Sequence, residues 1–167
     1  RTTHPTSASQ FCRWLPIVFK AVSGMPHLVI LYTPQLDKET NMDVLCRSLA
    51  NTMLAARDES NAAVFPPGGT RVLAFPAAHY AVADDGSAGR ASGGNGDYAF
   101  VYLQLRMGNG RTAATHTRVG DALLKTAQTH FADIFDKRHI GITLQIDEGM
   151  PVYDAKHSNL HPLFNKA

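Results

Sequence analysis

Proline 26 stands between Met25 and a run of aliphatic residues. Inside a chain a proline nitrogen is a tertiary amide with no basicity. At a chain start it is a secondary amine, a base whose pKa falls in apolar or cationic surroundings because both disfavour the ammonium form. If Met25 is an initiator, the small residue after it favours its removal, which would leave Pro26 as such an amine. Two arginines follow glycines at sites where chemistry is possible. Arg71 follows Gly68-Gly69-Thr70, and Arg111 ends the run GNGR at 108–111. That run lacks the third glycine of GxGxxG and the GK[ST] of a P-loop, so it reads as a tight strand-to-helix turn. It sets Arg111 in the first turn of a helix, where the dipole disfavours a cation. Helix amino termini also bind anions, so an arginine kept there hints at an anion site. Taken one at a time, an ordinary surface position is the better reading of each arginine.

The remaining candidates are weaker. His157 and His161 are four apart and would clip a metal only on a helix, with no third ligand near and Pro162 directly after. A catalytic zinc takes three protein ligands, so a surface turn is the better reading and no metal is expected. His116, His130 and His139 flank a helical segment with no carboxylate or thiol at triad-like spacing. Cys46 falls on an apolar helix stripe, where a small buried hydrophobe is the expected role.

Several elements must position these residues. From Pro26 the chain divides into two similar halves. PHLVILYT (26–33) has the aliphatic, branched character of a strand. Met42, Leu45, Cys46, Leu49 and Met53 recur on one helical face. Gly68-Gly69 then leads into TRVLAFPAAHYAVAD, a second extended segment kinked or edged at Pro76. The second half repeats the plan. DYAFVYLQLRM (97–107) is a strand, Val119, Leu123, Ala127, Phe131 and Ile134 stripe a helix over roughly 112–137, and Ile140, Ile142, Leu144 and Ile146 alternate with small or polar residues as a half-buried strand. The glycine-rich stretch 84–96 reads as a flexible, solvated loop. Two β-α-β units with right-handed crossovers give an α/β (α+β) fold, a four-stranded sheet with both helices on one face. The opposite face is left uncovered, which predicts an oligomer.

Composition sets the bounds. The 167 residues are 44% hydrophobic and 18% charged, enough for one globular domain. The acid-free segment 1–24 reads as a leader or remnant outside that domain, and 25–167 as the domain itself. The formal charge of +2 comes from Arg1, Arg13 and Lys20 near the amino terminus. Residues 26–167 hold 13 basic and 14 acidic side chains, so no broad positive face for nucleic acid is expected. No apolar run reaches the roughly 18 residues of a membrane span. Pro16 and Lys20 interrupt the apolar stretch that a secretory signal requires. With Cys12 and Cys46 as the two cysteines, no disulfide framework is expected, and a reduced, cytoplasmic setting fits best.

Met25-Pro26-His27 opening a strand, FPPGGTR (65–71), GDYAFVYLQLRMGNGR (96–111), TAQTHF (126–131) and NLHPLF (159–164) together resemble the 5-carboxymethyl-2-hydroxymuconate Δ-isomerase family of the tautomerase superfamily. The resemblance runs over nearly all of 26–167 and none of 1–24. It implies a β-α-β pair assembled as a homotrimer and a cofactor-independent 1,3-allylic proton shift on an unsaturated 2-hydroxy acid with three carboxylates, in homoprotocatechuate catabolism. It further implies that Pro26 carries the proton while Arg71 and Arg111 bind this polycarboxylate. Two other readings compete. One is a tautomerase of a different 2-hydroxydienoate or of an aryl-enol. The other is a catalytically silent oligomeric scaffold, which follows if residues 1–25 stay attached and keep Pro26 an amide.

Overall fold

The computed structural model describes residues 26–149, 151–155 and 157–164. The expectations placed on the segment before Pro26, including Met25 and Cys12, lie outside these residues. The first unit is strand β1 (His27–Tyr32), helix α1 (Met42–Ala55) and strand β2 (Arg71–Pro76). A short helix α2 (Ser87–Ala91) leads to the second unit, β3 (Ala99–Met107), α3 (Ala113–His130), the single-turn α4 (Ala132–Phe135) and β4 (Ile140–Glu148). The four strands form one sheet in the order β2-β1-β3-β4. β1 runs parallel to β2 and β3 parallel to β4, while β1 and β3 pair antiparallel and join the two units. This is the architecture the two repeated units predict.

Local signals fix where the helices begin. Asn41 caps α1, its side chain accepting from the amides of Asp43 and Val44. Thr112 caps α3 by accepting from Thr115 N. Both apolar stripes then face the sheet: Leu45, Leu49 and Met53 from α1, and Val119, Leu123 and Ala127 from α3, are buried with Leu28, Ile30, Val101, Leu103 and Leu105 of the central strands. Cys46 is half-buried at the edge of that stripe. At Gly120, α3 lies close over β4, since an added methyl group would meet Ile146 Cδ1 at 3.5 Å. The two helices also touch, with Thr52 Oγ1 and Thr126 Oγ1 2.8 Å apart.

Three sequence expectations need correction. The long helix expected over 112–137 stops at His130. Phe131 leaves helical geometry, and the turn keeps both Phe131 and Ile134 in the core. Stretch 84–96 is not a plain loop. Asp84 Oδ2 accepts from Ala88 N at 2.9 Å, and Tyr98 Oη accepts from Gly89 N at 2.7 Å, organising α2 against the start of β3. Gly86 has φ +79, and a side chain there would collide with Gly96 O. Local composition shows the glycines but not what they pack against. The third correction, to the position of Arg111, concerns the site.

The face away from the helices has two different halves. Around Tyr32, the last residue of β1, it is apolar, with Leu31, Leu73 and Phe75 47%, 46% and 49% exposed. Near Pro26 the same face carries Arg71, His27, Arg106 and Asp147 in one lateral row, given by the strand register. Among the described residues, no helix is long and apolar enough to cross a membrane.

Candidate active site

Strand pairing brings the three candidate residues to one end of the sheet. Pro26 is buried immediately before β1. His27, the next residue, pairs with Arg71 on one side and Arg106 on the other. Residues 69–71 and 107–111 therefore flank Pro26 from opposite sides, although 42 or more positions separate each from it in sequence. The contact with the first block is close. A methyl group built on Gly69 would lie 3.4 Å from Pro26 Cδ and 3.1 Å from Pro66 Cγ, so glycine is the residue that lets this turn pack on the proline. Arg71 extends from the same turn, its Nη1 donating to Gly69 O at 3.0 Å.

Arg111 is held differently from what the sequence suggests. It precedes Thr112, the cap of α3, and so lies outside the first helical turn. No cation is being held against the dipole. Its guanidinium instead donates to two carbonyls, Nη1 to Gly108 O at 2.7 Å and Nη2 to Val64 O at 2.9 Å. It also lies over the Phe65 ring, 5.9 Å from the centroid. Burial lowers its pKa, and the nearby Glu148 partly offsets this. An arginine stays charged under such a shift, so the result is a cation fixed in place and poorly hydrated. That is the state in which an anion is bound most strongly.

The supporting residues come from segments that sequence spacing could not connect. Glu59 accepts from Thr112 Oγ1 at 2.5 Å and from Thr115 Oγ1 at 2.9 Å, and Arg118 Nη2 lies 3.4 Å away. These bonds, led by the one from Thr112, hold its carboxyl below the usual range. They also tie the loop before Val64 to the start of α3, and thereby the carbonyl that positions Arg111. The one local signal for that loop is the Asp58-x-Ser60 turn, in which Asp58 Oδ1 accepts from Ser60 N and Ala62 N. His116 has no carboxylate at triad-like spacing in the sequence, but the fold supplies one from a distant strand. Its Nε2 lies 3.6 Å from Glu148 Oε1, brought there because Glu148 pairs with Met107 at the end of β4.

The other candidates sit elsewhere. His130 Nε2 is 2.8 Å from Thr40 Oγ1, and His139 packs edge-on against Tyr98. Burial, with a smaller contribution from Asp43, raises the Cys46 thiol's pKa, the opposite of what a nucleophile needs. His157 lies in irregular chain while His161 opens the 3-10 turn His161–Phe164, so the two do not share a helix. No group of three metal-ligating side chains occurs among the described residues.

Comparison with known proteins identifies the family. Residues 26–164 match the family model of 5-carboxymethyl-2-hydroxymuconate isomerase. A 5-carboxymethyl-2-hydroxymuconate Delta-isomerase of Escherichia coli is 26% identical over 140 residues, spanning 84% of this chain and 99% of that protein. A crystal structure of a 5-carboxymethyl-2-hydroxymuconate delta-isomerase is 53% identical with a TM-score of 0.83, over 86% of this chain and 95% of the other. One from Deinococcus radiodurans R1 is 32% identical with a TM-score of 0.68, over 85% and 96%. With its whole described fold accounted for in this way, the chain belongs to the 5-carboxymethyl-2-hydroxymuconate isomerase family.

Proposed function

We propose that this protein isomerises 5-carboxymethyl-2-hydroxymuconate, with the free amine of Pro26 moving the proton and Arg71 and Arg111 holding the substrate's carboxylates. In this reaction a proton leaves the 2-hydroxydienoate and returns to a carbon further along the conjugated chain. Substrate and product have the same atoms and oxidation level, so one base that gives back what it takes is sufficient. Pro26 suits that role if residue 25 is absent. It is buried, and two arginine-bearing turns flank it, conditions that bring an amine's pKa towards neutrality where a base works best. The guanidinium groups match carboxylates bidentately and stabilise the charge that spreads over the dienolate.

The observation that carries this reading is the strand register that sets an arginine-bearing turn on either side of Pro26, together with a family match that starts at Pro26. The exposed apolar half of the open face supports packing of further copies, and we assign it to a homotrimer whose mass sedimentation would report.

The test compares two proteins of verified intact mass, one beginning at Pro26 and one retaining the preceding residues. The first is expected to consume the dienol, seen as loss of its ultraviolet absorbance, and the second to be inactive. Equal activity in the chain that keeps Pro26 as an amide would exclude it as the base. Assay of other 2-hydroxydienoates and aryl-enols alongside ranks the substrates.

A further inference from the structure

We infer that Arg106 and His27 form a separate subsite for a third carboxylate, on the open face of the sheet beside Pro26. The inference rests on the Pro26 reading and adds what selects the substrate. His27 pairs with both Arg71 and Arg106, so three basic side chains project side by side from adjacent strands about 4.8 Å apart. A row of this kind offers several donors to one anionic group. The acid in the same lateral row is engaged by amides. Asp147, which pairs with Arg106, accepts from Gln104 Nε2 at 2.7 Å and from Gln145 Nε2 at 2.8 Å. The exposed Arg106 lies near it only as a charge.

These residues line a defined space. His27 and Arg106 line a cavity of about 270 Å³ together with Pro151 and Asp154. Gly108 also lines this cavity, and Gly108 O is the carbonyl that accepts from Arg111, so the subsite and the Arg111 anchor share one residue. The volume suits a short carboxyl-bearing arm and is below the ~300–1,000 Å³ typical of a pocket enclosing a whole ligand. Charge counting gives the same answer. A tricarboxylate presents three anionic groups, and Arg71 and Arg111 match two. The third would lose water without a partner unless a further cation stands where the arm ends. Arg106, with His27 as a second donor, is the cation on this face that the subsite assigns to that group.

The test uses protein beginning at Pro26 and two substrates, 5-carboxymethyl-2-hydroxymuconate and 2-hydroxymuconate, which lacks the carboxymethyl arm. Arg106→Gln is expected to lower the preference for the tricarboxylate, the ratio of the two kcat/KM values, at least tenfold and mainly through KM. Arg106→Lys should restore most of that preference. An unchanged ratio in Arg106→Gln, with the wild type active, would overturn the subsite while leaving the Pro26 reading intact. So would an equal loss in Arg106→Lys, which would indicate a packing role. A wild-type protein inactive on both substrates would instead remove the Pro26 reading, and the subsite with it.

Discussion

Replacing Arg111 with alanine tests the site most directly, because the structure shows what the side chain does before any substrate arrives. Two of its N–H groups are committed to Gly108 O and Val64 O, so the guanidinium is already positioned and half-buried. Removing one such preorganised donor costs about 2–4 kcal/mol of transition-state stabilisation. At 1.36 kcal/mol per factor of ten, kcat/KM is expected to fall about 30- to 900-fold. The substitution also leaves two carbonyls without their donor. Arg111 is only half-buried, so a stability loss of about 1 kcal/mol per carbonyl is expected, the low end for such groups. Activity and urea unfolding should therefore be measured on the same preparation, well below the melting temperature. Arg111→Lys separates the two roles. A lysine keeps the charge but cannot span both carbonyls, so its activity should fall between wild type and alanine. A loss below tenfold in Arg111→Ala, in folded protein with Pro26 free, would refute the role given to this residue.

Other substitutions probe what surrounds the site. Glu59→Ala removes the acceptor that ties the loop before Val64 to α3, and it should raise KM more than it lowers kcat while reducing the melting temperature. Activity and KM both unchanged would show that Arg111 is positioned without that tie. Burial depresses the His130 pKa, so the unfolded chain takes up a proton that the folded one resists. Stability should then decline as the pH falls below about 6.5, the unperturbed histidine value, and His130→Asn should lessen that decline in urea melts at pH 5.5 and 7.5. Phe131, fully buried where α3 ends, should cost about 3–5 kcal/mol when replaced by alanine, and a loss under 1 kcal/mol would mean the core closes around the gap.

Much of this protein is legible in its sequence because the relevant signals are periodic and local. Helix stripes such as Leu45-Leu49-Met53 and Val119-Leu123-Ala127, and the alternation of Ile140 to Ile146, state which face of each element avoids water. Two such units can bury those faces in few ways, and strand order β2-β1-β3-β4 is the result. Pro26, Arg71 and Arg111 could also be singled out from the sequence, one by the chemistry a free proline offers and two by their place after glycine turns.

Tertiary structure alone decided how those residues are held. Arg111 looked like a cation at a helix start because its neighbours in sequence are a turn and a helix. Its actual partners include Val64 O, 47 positions away, supplied by a loop that Glu59 ties down from outside the motif. The pairing of Glu148 with His116, and the row of Arg71, His27 and Arg106, likewise exist only once register is set. Burial patterns depend on each residue's own hydrophobicity and repeat every few positions, so a chain carries them in plain order. A binding site depends on which distant backbone and side-chain groups come within 3 Å of one another, and no local pattern encodes that distance.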